Sequence, residues 1–274
     1  MTAYYNEIDP FAAQWLRNLI DAGHIAPGIV DTRSIEDVTP NDLKGFSQHH
    51  FFAGIGVWSY ALRRAGWPDS QPVWTGSCPC QPFSSAGKKR GFADERHLWP
   101  SFYWLISQCK PPVIFGEQVA SKDIDVWIDL VQIDVEKMGY AFGCVPFPAA
   151  SIGAPNIRER AYWVAYSKDL QKWAPKGESE QSNQKQGEIR GCNIPYPAKS
   201  GNPVSYWRDC DWVRGANGRL FPIESGTLPL VDGDTKRVGR ISAYGNAVNA
   251  EAAKTFIEAA TDYMSAYSPG VLCD

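Results

Sequence analysis

The chain is short of several features that would place it at once. No apolar stretch approaches the ~20 residues needed to span a bilayer as a helix, so no membrane partner is expected. The opening residues Met1-Thr2-Ala3-Tyr4-Tyr5-Asn6-Glu7 carry neither a basic flank nor an apolar run, so no secretory leader is expected either. The seven cysteines are odd in number and scattered. That argues against a disulfide scaffold and for a reducing, cytoplasmic setting. Cys78-Pro79-Cys80 has one intervening residue and no second cysteine pair beside it, so no zinc site and no other metal is expected. There is no internal repeat. Nor is there a basic excess, since the formal net charge is −3.

The charge is nevertheless uneven. Residues 1–47 carry three basic side chains against seven acidic ones, whereas residues 158–240 carry fourteen against ten. The segment 84–100 adds Lys88, Lys89, Arg90 and Arg96 against Asp94 and Glu95. Binding a phosphate backbone needs local positive charge rather than a basic whole.

The hydrophobic pattern alternates short apolar runs with helical periodicity. Strands are predicted over Ala3–Ile8, Val30–Asp31, Phe46–Ala53, Pro72–Ser77 and Val113–Phe115. Helices are predicted over Phe11–Ile20, Trp58–Ala65, Leu98–Gln108, Ile124–Met138 and Ala247–Met264. Such alternation predicts an α/β domain with a largely parallel sheet. With 274 residues there is room for one large domain or a domain and a half. Residues 168–205 are poor in aliphatics and rich in Gln, Ser, Gly, Lys and Pro, which marks a separate, loop-rich region.

Five segments carry candidate chemistry. In Gly76-Ser77-Cys78-Pro79-Cys80-Gln81-Pro82-Phe83-Ser84, prolines restrict the backbone on both sides of Cys80. A thiol held so rigidly at a strand end is placed for attack, although burial is the commoner fate of a solitary cysteine. Phe52-Ala53-Gly54-Ile55-Gly56 follows a strand and opens a helix, and glycines there let a ligand approach the backbone. Phe115-Gly116-Glu117-Gln118-Val119 puts a carboxylate at the end of a buried strand, which is costly unless paired or used. Asn156-Ile157-Arg158-Glu159-Arg160 sets two arginines on one face of a predicted strand, suited to a carboxylate, a phosphate or a base edge. Tyr244-Gly245-Asn246-Ala247-Val248 precedes a helix.

Taken together these segments resemble the cytosine-5 DNA methyltransferase family. The F-x-G-x-G motif is matched by Phe52, Gly54 and Gly56, and the P-C-Q motif by Pro79-Cys80-Gln81. E-N-V is matched by Glu117 and Val119, Q-x-R-x-R by Arg158 and Arg160, and G-N-[AS]-V by Gly245-Asn246-Ala247-Val248. Gln118, Asn156 and Val57 depart from the pattern. The resemblance implies a Rossmann-like S-adenosylmethionine-dependent domain over residues 1–167 and 236–274, with a target-recognition region over 168–235. It implies methyl transfer to carbon 5 of a flipped cytosine in double-stranded DNA, as in restriction-modification enzymes, by a protein expected to be monomeric.

By that resemblance Cys80 adds covalently to the base, Glu117 holds its ring nitrogen and exocyclic amine, and Arg160, with Arg158 in support, holds its carbonyl oxygen or a nearby phosphate. Glu7 accepts the cofactor's ribose hydroxyls, Ile8 and Thr32 flank its adenine, and Asp31 accepts the adenine amino group. Phe52, Gly54 and Gly56 admit the methionine part, with Pro79, Leu98, Asn246 and Val248 near the same pocket. Gln81, Ser84, Lys88, Lys89 and Arg90 face the DNA from a catalytic loop, and Arg208, Arg214 and Arg219 from the recognition region. The motifs equally fit a branch of the family that methylates tRNA, and an inactive nucleic-acid-binding homologue is a further alternative. The acidic and adenine-edge motifs normally follow the glycine motif and here precede it, which implies a circular permutation starting the chain at the second strand. If the helix after Gly56 keeps its usual face, its crossover to the next strand takes the wrong hand.

Overall fold

The computed structural model describes residues 2–79, 98–119, 124–154, 158–167, 210–214, 220–224 and 247–266. The order along the chain is β1 (Ala3–Asn6), α1 (Pro10–Asp21), β2 (Gly28–Asp31), a 3-10 turn (Ile35–Asp37), β3 (Gln48–Phe51) and α2 (Val57–Arg64). Then come β4 (Val73–Gly76), α3 (Trp99–Cys109), β5 (Val113–Val119), α4 (Ile124–Lys137), β6 (Tyr140–Pro148) and β7 (Glu159–Ser167). The short strands β8 (Cys210–Arg214) and β9 (Leu220–Glu224) pair antiparallel, and α5 spans Ala250–Ala266.

Seven strands form one sheet in the order β2-β1-β3-β4-β5-β7-β6. The first five are parallel, and β7 runs antiparallel between β5 and β6. The α/β class is as the sequence predicts. The strand β6 is not foreseen, because Tyr140-Ala-Phe-Gly-Cys-Val-Pro-Phe-Pro148 holds a glycine and two prolines that read as punctuation. At the sheet edge a proline costs no ladder bond, since its missing N–H faces away from the neighbouring strand.

Side-chain parity sorts the two faces. Ala3 and Tyr5 of β1 pack with Leu16 of α1. Val73, Val113, Phe115 and Tyr162 pack with Trp58, Ala61 and Leu62 of α2 and with Ala253 and Ile257 of α5. The opposite face sets Tyr4, Phe51, Trp74, Ile114 and Trp163 against Phe102 and Leu105 of α3 and Trp127 and Val131 of α4. So α1, α2 and α5 cover one face, and α3 and α4 the other.

These placements fix the relative hand of each crossover. From β1 to β2 the chain steps one way across the sheet over the α1 face, and from β4 to β5 it steps the other way over the α3 face. The two are equivalent by a half-turn about the strand direction and share one hand. From β3 to β4 it steps toward β5 but over the α1 face, so β3–α2–β4 has the opposite hand. Parallel crossovers are right-handed in about 98% of cases, which makes this connection the left-handed one.

Candidate active site

The C-terminal ends of the parallel strands deliver the site. Asn6, Phe51, Gly76 and Gly116 lie side by side in register across β1, β3, β4 and β5. The next residue of each strand or its extension is therefore Glu7, Phe52, Ser77 and Glu117. Ligands of open α/β sheets bind along this edge.

At its β1–β3 end, Glu7 anchors the glycine turn. One carboxylate oxygen accepts the Gly54 N–H at 2.7 Å and the other accepts the Asp9 N–H at 2.8 Å. Burial raises the Glu7 pKa, and these two bonds pull it back. The turn itself runs through left-handed backbone at Phe52 (φ 51°), Gly54 (φ 55°) and Gly56 (φ 80°). Glycine adopts that region freely, while a phenylalanine there is strained. Gly56 caps α2 without a side-chain partner for the first turn, leaving the amide groups of the helix start aimed at the turn. Phe52 meets Phe102 edge-on at 6.0 Å, and both Phe52 and Leu98 pack against the α3-side core. Ile8 is 65% exposed beside Glu7.

Asp31 is placed differently from the expectation of a free acceptor. Its carboxylate takes the Tyr4 hydroxyl at 2.6 Å and the Arg33 guanidinium at 2.6 Å. Burial opposes its ionisation, but the Arg33 and Tyr4 hydrogen bonds outweigh that and hold its pKa at about 2. Thr32 is exposed in the same bend.

At the β4–β5 end, Glu117 is 7% exposed and lies within β5, two positions beyond the predicted strand end at Phe115. Its Oε1 accepts from Arg160 Nε at 2.7 Å. Burial raises the Glu117 pKa, against the charges of Arg160 and Arg158. Gln118 points to the other face and donates to the Cys78 carbonyl at 3.0 Å, so it holds the chain two residues before Cys80. Pro79 is the last residue described there, and Cys80, Gln81, Ser84, Lys88, Lys89 and Arg90 lie outside the described residues.

The two arginines do not share a strand face. Arg160 is in β7, whereas Arg158 precedes the strand at a left-handed φ of 27° and donates to the Ala247 carbonyl. The strand's ladder starts at Glu159, so alternation does not govern Arg158. Its contact ties the start of β7 to the approach to α5, where Val248 packs into the α2-side core and Asn249 caps Ala252 at 3.0 Å. Asn246, Arg208 and Arg219 lie outside the described residues, and of Arg214 only the backbone, in β8, is described. No group of three metal-ligating side chains occurs among the described residues, and none of their helices is long and apolar enough to cross a membrane.

Sequence reading missed Ser77 and Trp58. The Trp58 indole N–H donates to the Ser77 hydroxyl at 3.0 Å. Only the predicted strand end and its parity with Glu117 could have drawn attention to that serine.

Residues 67–195 match the family described as C-5 cytosine-specific DNA methylase. Over that stretch the chain is similar to this cytosine methyltransferase family. Among curated relatives it is similar to the Type II methyltransferase M.HhaI of Haemophilus parahaemolyticus, 34% identical over 96 residues that cover 34% of this chain and 29% of that protein. It is also similar to the Type II methyltransferase M1.ScrFI of Lactococcus lactis subsp. cremoris, 27% identical over 175 residues, 61% of this chain and 43% of that protein. The matches thus span less than half the length of these relatives. Among solved structures, that of the S. pombe Dnmt2 methyltransferase aligns with a TM-score of 0.38 at 15% identity, over 69% of this chain and 59% of that one. The cytosine methyltransferase family match includes Pro79-Cys80-Gln81, Glu117, Arg158 and Arg160, but not the glycine turn or Glu7, which precede it.

Proposed function

We propose that this chain transfers a methyl group from S-adenosylmethionine to carbon 5 of a cytosine in double-stranded DNA. One observation carries the reading. A single row across the sheet edge brings together the Glu7-bound glycine turn, the strand end leading to Cys80 and the Glu117–Arg160 pair. The family match supports the base and the nucleic acid.

The residues at the β1–β3 end suit the cofactor. Glu7 offers carboxylate lone pairs for ribose hydroxyls, exposed Ile8 an apolar surface for a purine, and the turn at Gly54 and Gly56 a close backbone approach. S-adenosylmethionine, when bound, supplies an electrophilic methyl group. Asp31 serves that end through its neighbours, holding Arg33 and Tyr4 in place.

At the other end the Cys80 thiolate adds to carbon 6 of the pyrimidine, which turns carbon 5 into a nucleophile. Glu117 meets ring nitrogen 3 and the exocyclic amine, and its raised pKa suits it to carry a proton there. Arg160 fixes the carboxylate and neutralises charge on the base. Arg158 acts by holding the approach to α5. Carbon 5 later gives up its proton and the thiolate leaves. The base must be extruded from the duplex to meet Cys80, at a cost of a few kcal/mol.

The test is covalent capture. Duplex DNA carrying 5-fluorocytosine, with S-adenosylmethionine present, is expected to give a denaturation-resistant adduct that Cys80→Ala abolishes. Capture of tRNA in place of duplex DNA would reassign the substrate, and no adduct with either would overturn the reading.

We also infer how the motif order arose. A circular permutation of the whole chain would carry β3 and α2 to the C-terminal end, yet here they stand between β2 and β4. Exchange of two neighbouring units, β1-α1-β2 and β3-α2, accounts for the order. The left-handed β3–α2–β4 connection follows from it: α2 kept its face while its chain was joined to the strand on the other side.

A further inference from the structure

We propose that Asp31 is a positioning residue that shapes the wall of the adenine end, and that the exocyclic amine of the cofactor's purine is left unread. The inference deepens the reading above and rests on it for the cofactor.

Asn6 of β1 pairs with Asp31 of β2, so Glu7 and Thr32 are the next residues of adjacent parallel chains. The Glu7 N–H donates to the Asp31 carbonyl at 3.0 Å, which fixes the two strand ends to one another. A purine lying over exposed Ile8 therefore has the end of β2 along its edge. The amine on that edge is a donor, and Asp31 is the one carboxylate that β2 carries.

That carboxylate is already filled. Its two oxygens offer about four lone-pair sites. Oδ2 accepts from the Tyr4 hydroxyl at 2.6 Å and from Arg33 Nη2 at 2.6 Å. Oδ1 accepts from the Arg33 backbone N–H at 2.9 Å. Arg33 Nε is shared between Oδ1 at 3.1 Å and Oδ2 at 3.0 Å. Four donors thus meet four sites, and the Asp31 side chain is only 11% exposed. Tyr4 is fully buried, so turning the carboxylate toward a ligand would leave its hydroxyl without a partner, which is costly.

Arg33 is held from its far side as well. Its Nη2 lies 3.2 Å from Asp42 Oδ1, and its Nη1 donates to the Asp37 carbonyl at 3.4 Å. Asp42 in turn accepts from the Thr39 N–H at 2.8 Å and the Thr39 hydroxyl at 2.7 Å. Asn6 donates to the Arg33 carbonyl at 2.9 Å, tying the segment back to β1. The stretch from Asp31 to Asp42 is therefore formed before any ligand arrives, which lowers the ordering cost of binding. It selects by shape, while Glu7 selects at the ribose.

Isothermal titration of the full-length protein with S-adenosylhomocysteine, the demethylated cofactor, reads this without turnover. The 6-deamino analogue, with purine in place of adenine, is expected to bind within about threefold of it, whereas an amine held by a carboxylate would be worth about tenfold or more. The 2′-deoxy analogue is expected to bind at least about tenfold more weakly, because Glu7 loses a hydroxyl partner. Asp31→Asn and Arg33→Ala are each expected to weaken S-adenosylhomocysteine and its deamino analogue by the same factor, about fivefold, since the wall is formed for less of the time. Arg33→Lys restores a cation and is expected to return part of that loss.

A deamino analogue that binds the wild-type protein more than about threefold weaker would overturn the unread amine, and this comparison needs no variant to fold. If Asp31→Asn removes that difference, the amine is bonded by Asp31 and the positioning role falls with it. Unchanged S-adenosylhomocysteine affinity in both variants, with thermal stability lowered, would make Asp31 structural only and also overturn the proposal. A wild-type protein that does not bind S-adenosylhomocysteine at all would overturn the cofactor reading, and the proposal with it.

Discussion

The two faces of the sheet are built from different materials. Beneath α3 and α4 the core is a lattice of rings: Phe51 lies 4.9 Å from Trp74 and 5.1 Å from Phe102, and Trp99 meets Trp127 and Trp163 edge-on. Beneath α1, α2 and α5 the same strands bury polar side chains. The Tyr5 hydroxyl bonds the Ala26 carbonyl and Ser59, His50 bonds Thr75 at 2.9 Å while stacking on Tyr5, and Glu117 completes the row. Close-packed rings have well-defined shapes, so they stiffen the sheet. Buried polar groups are costly unless paired, so they survive where they are used or mutually satisfied. One face is scaffold, and the other carries the site's chemistry.

Substitutions on either side sharpen that contrast. Glu117→Gln, on the polar face, is expected to reduce methyl transfer at least hundredfold, about 3 kcal/mol in the barrier. Urea unfolding of the same variant should stay within about 1 kcal/mol of wild type. A proportionate loss of stability would make Glu117 scaffold instead. Gly116→Ala, its chain neighbour on the ring face, should do the reverse. A methyl group there would fall 2.1 Å from the Trp163 ring, so about 3 kcal/mol of unfolding free energy is expected to go. Native-like stability would show that the ring face yields.

The third comparison is one of pH. Burial lowers His50 to about 3 and His49 to about 4. Their folded pKa values lie below the unfolded value near 6.5, so the unfolded chain binds protons first as pH falls. Stability is then fully present above about pH 6.5 and declines below it, by about 2 kcal/mol per histidine at pH 5. Denaturant titrations at both pH values should show a shallower decline in His50→Gln, and an equal decline would remove His50 from the account. The smallest effect is expected from Tyr5→Phe, which deletes one buried hydroxyl with two partners. About 1 kcal/mol of stability should be lost, measured by thermal or urea unfolding, with catalysis unchanged.

Much of this was legible in the chain. The apolar runs placed β1, α1, β4, α3 and α4 to within a few residues, because each strand or helix carries its own period and its own punctuation. Glycine at 54 and 56 marked a turn that only unusual backbone can make. Arg158 and Arg160 read as an alternating pair, and failed to be one, because the β7 ladder begins between them. Asp31 read as a free acceptor, but the partner that claims it, Arg33, is two residues away and cannot be recognised from spacing alone. The edge strand β6 was hidden by prolines that only its place in the sheet makes harmless.

The sequence by itself determined most of the strand and helix segments and the motif residues, since those depend on local periodicity and residue identity. Tertiary structure alone decided which face α2 covers, and hence the hand of its crossover. It also decided that Glu117 and Arg160 converge. Both outcomes depend on register between strands and on packing between layers, which involve residues far apart in the chain and leave no local signature.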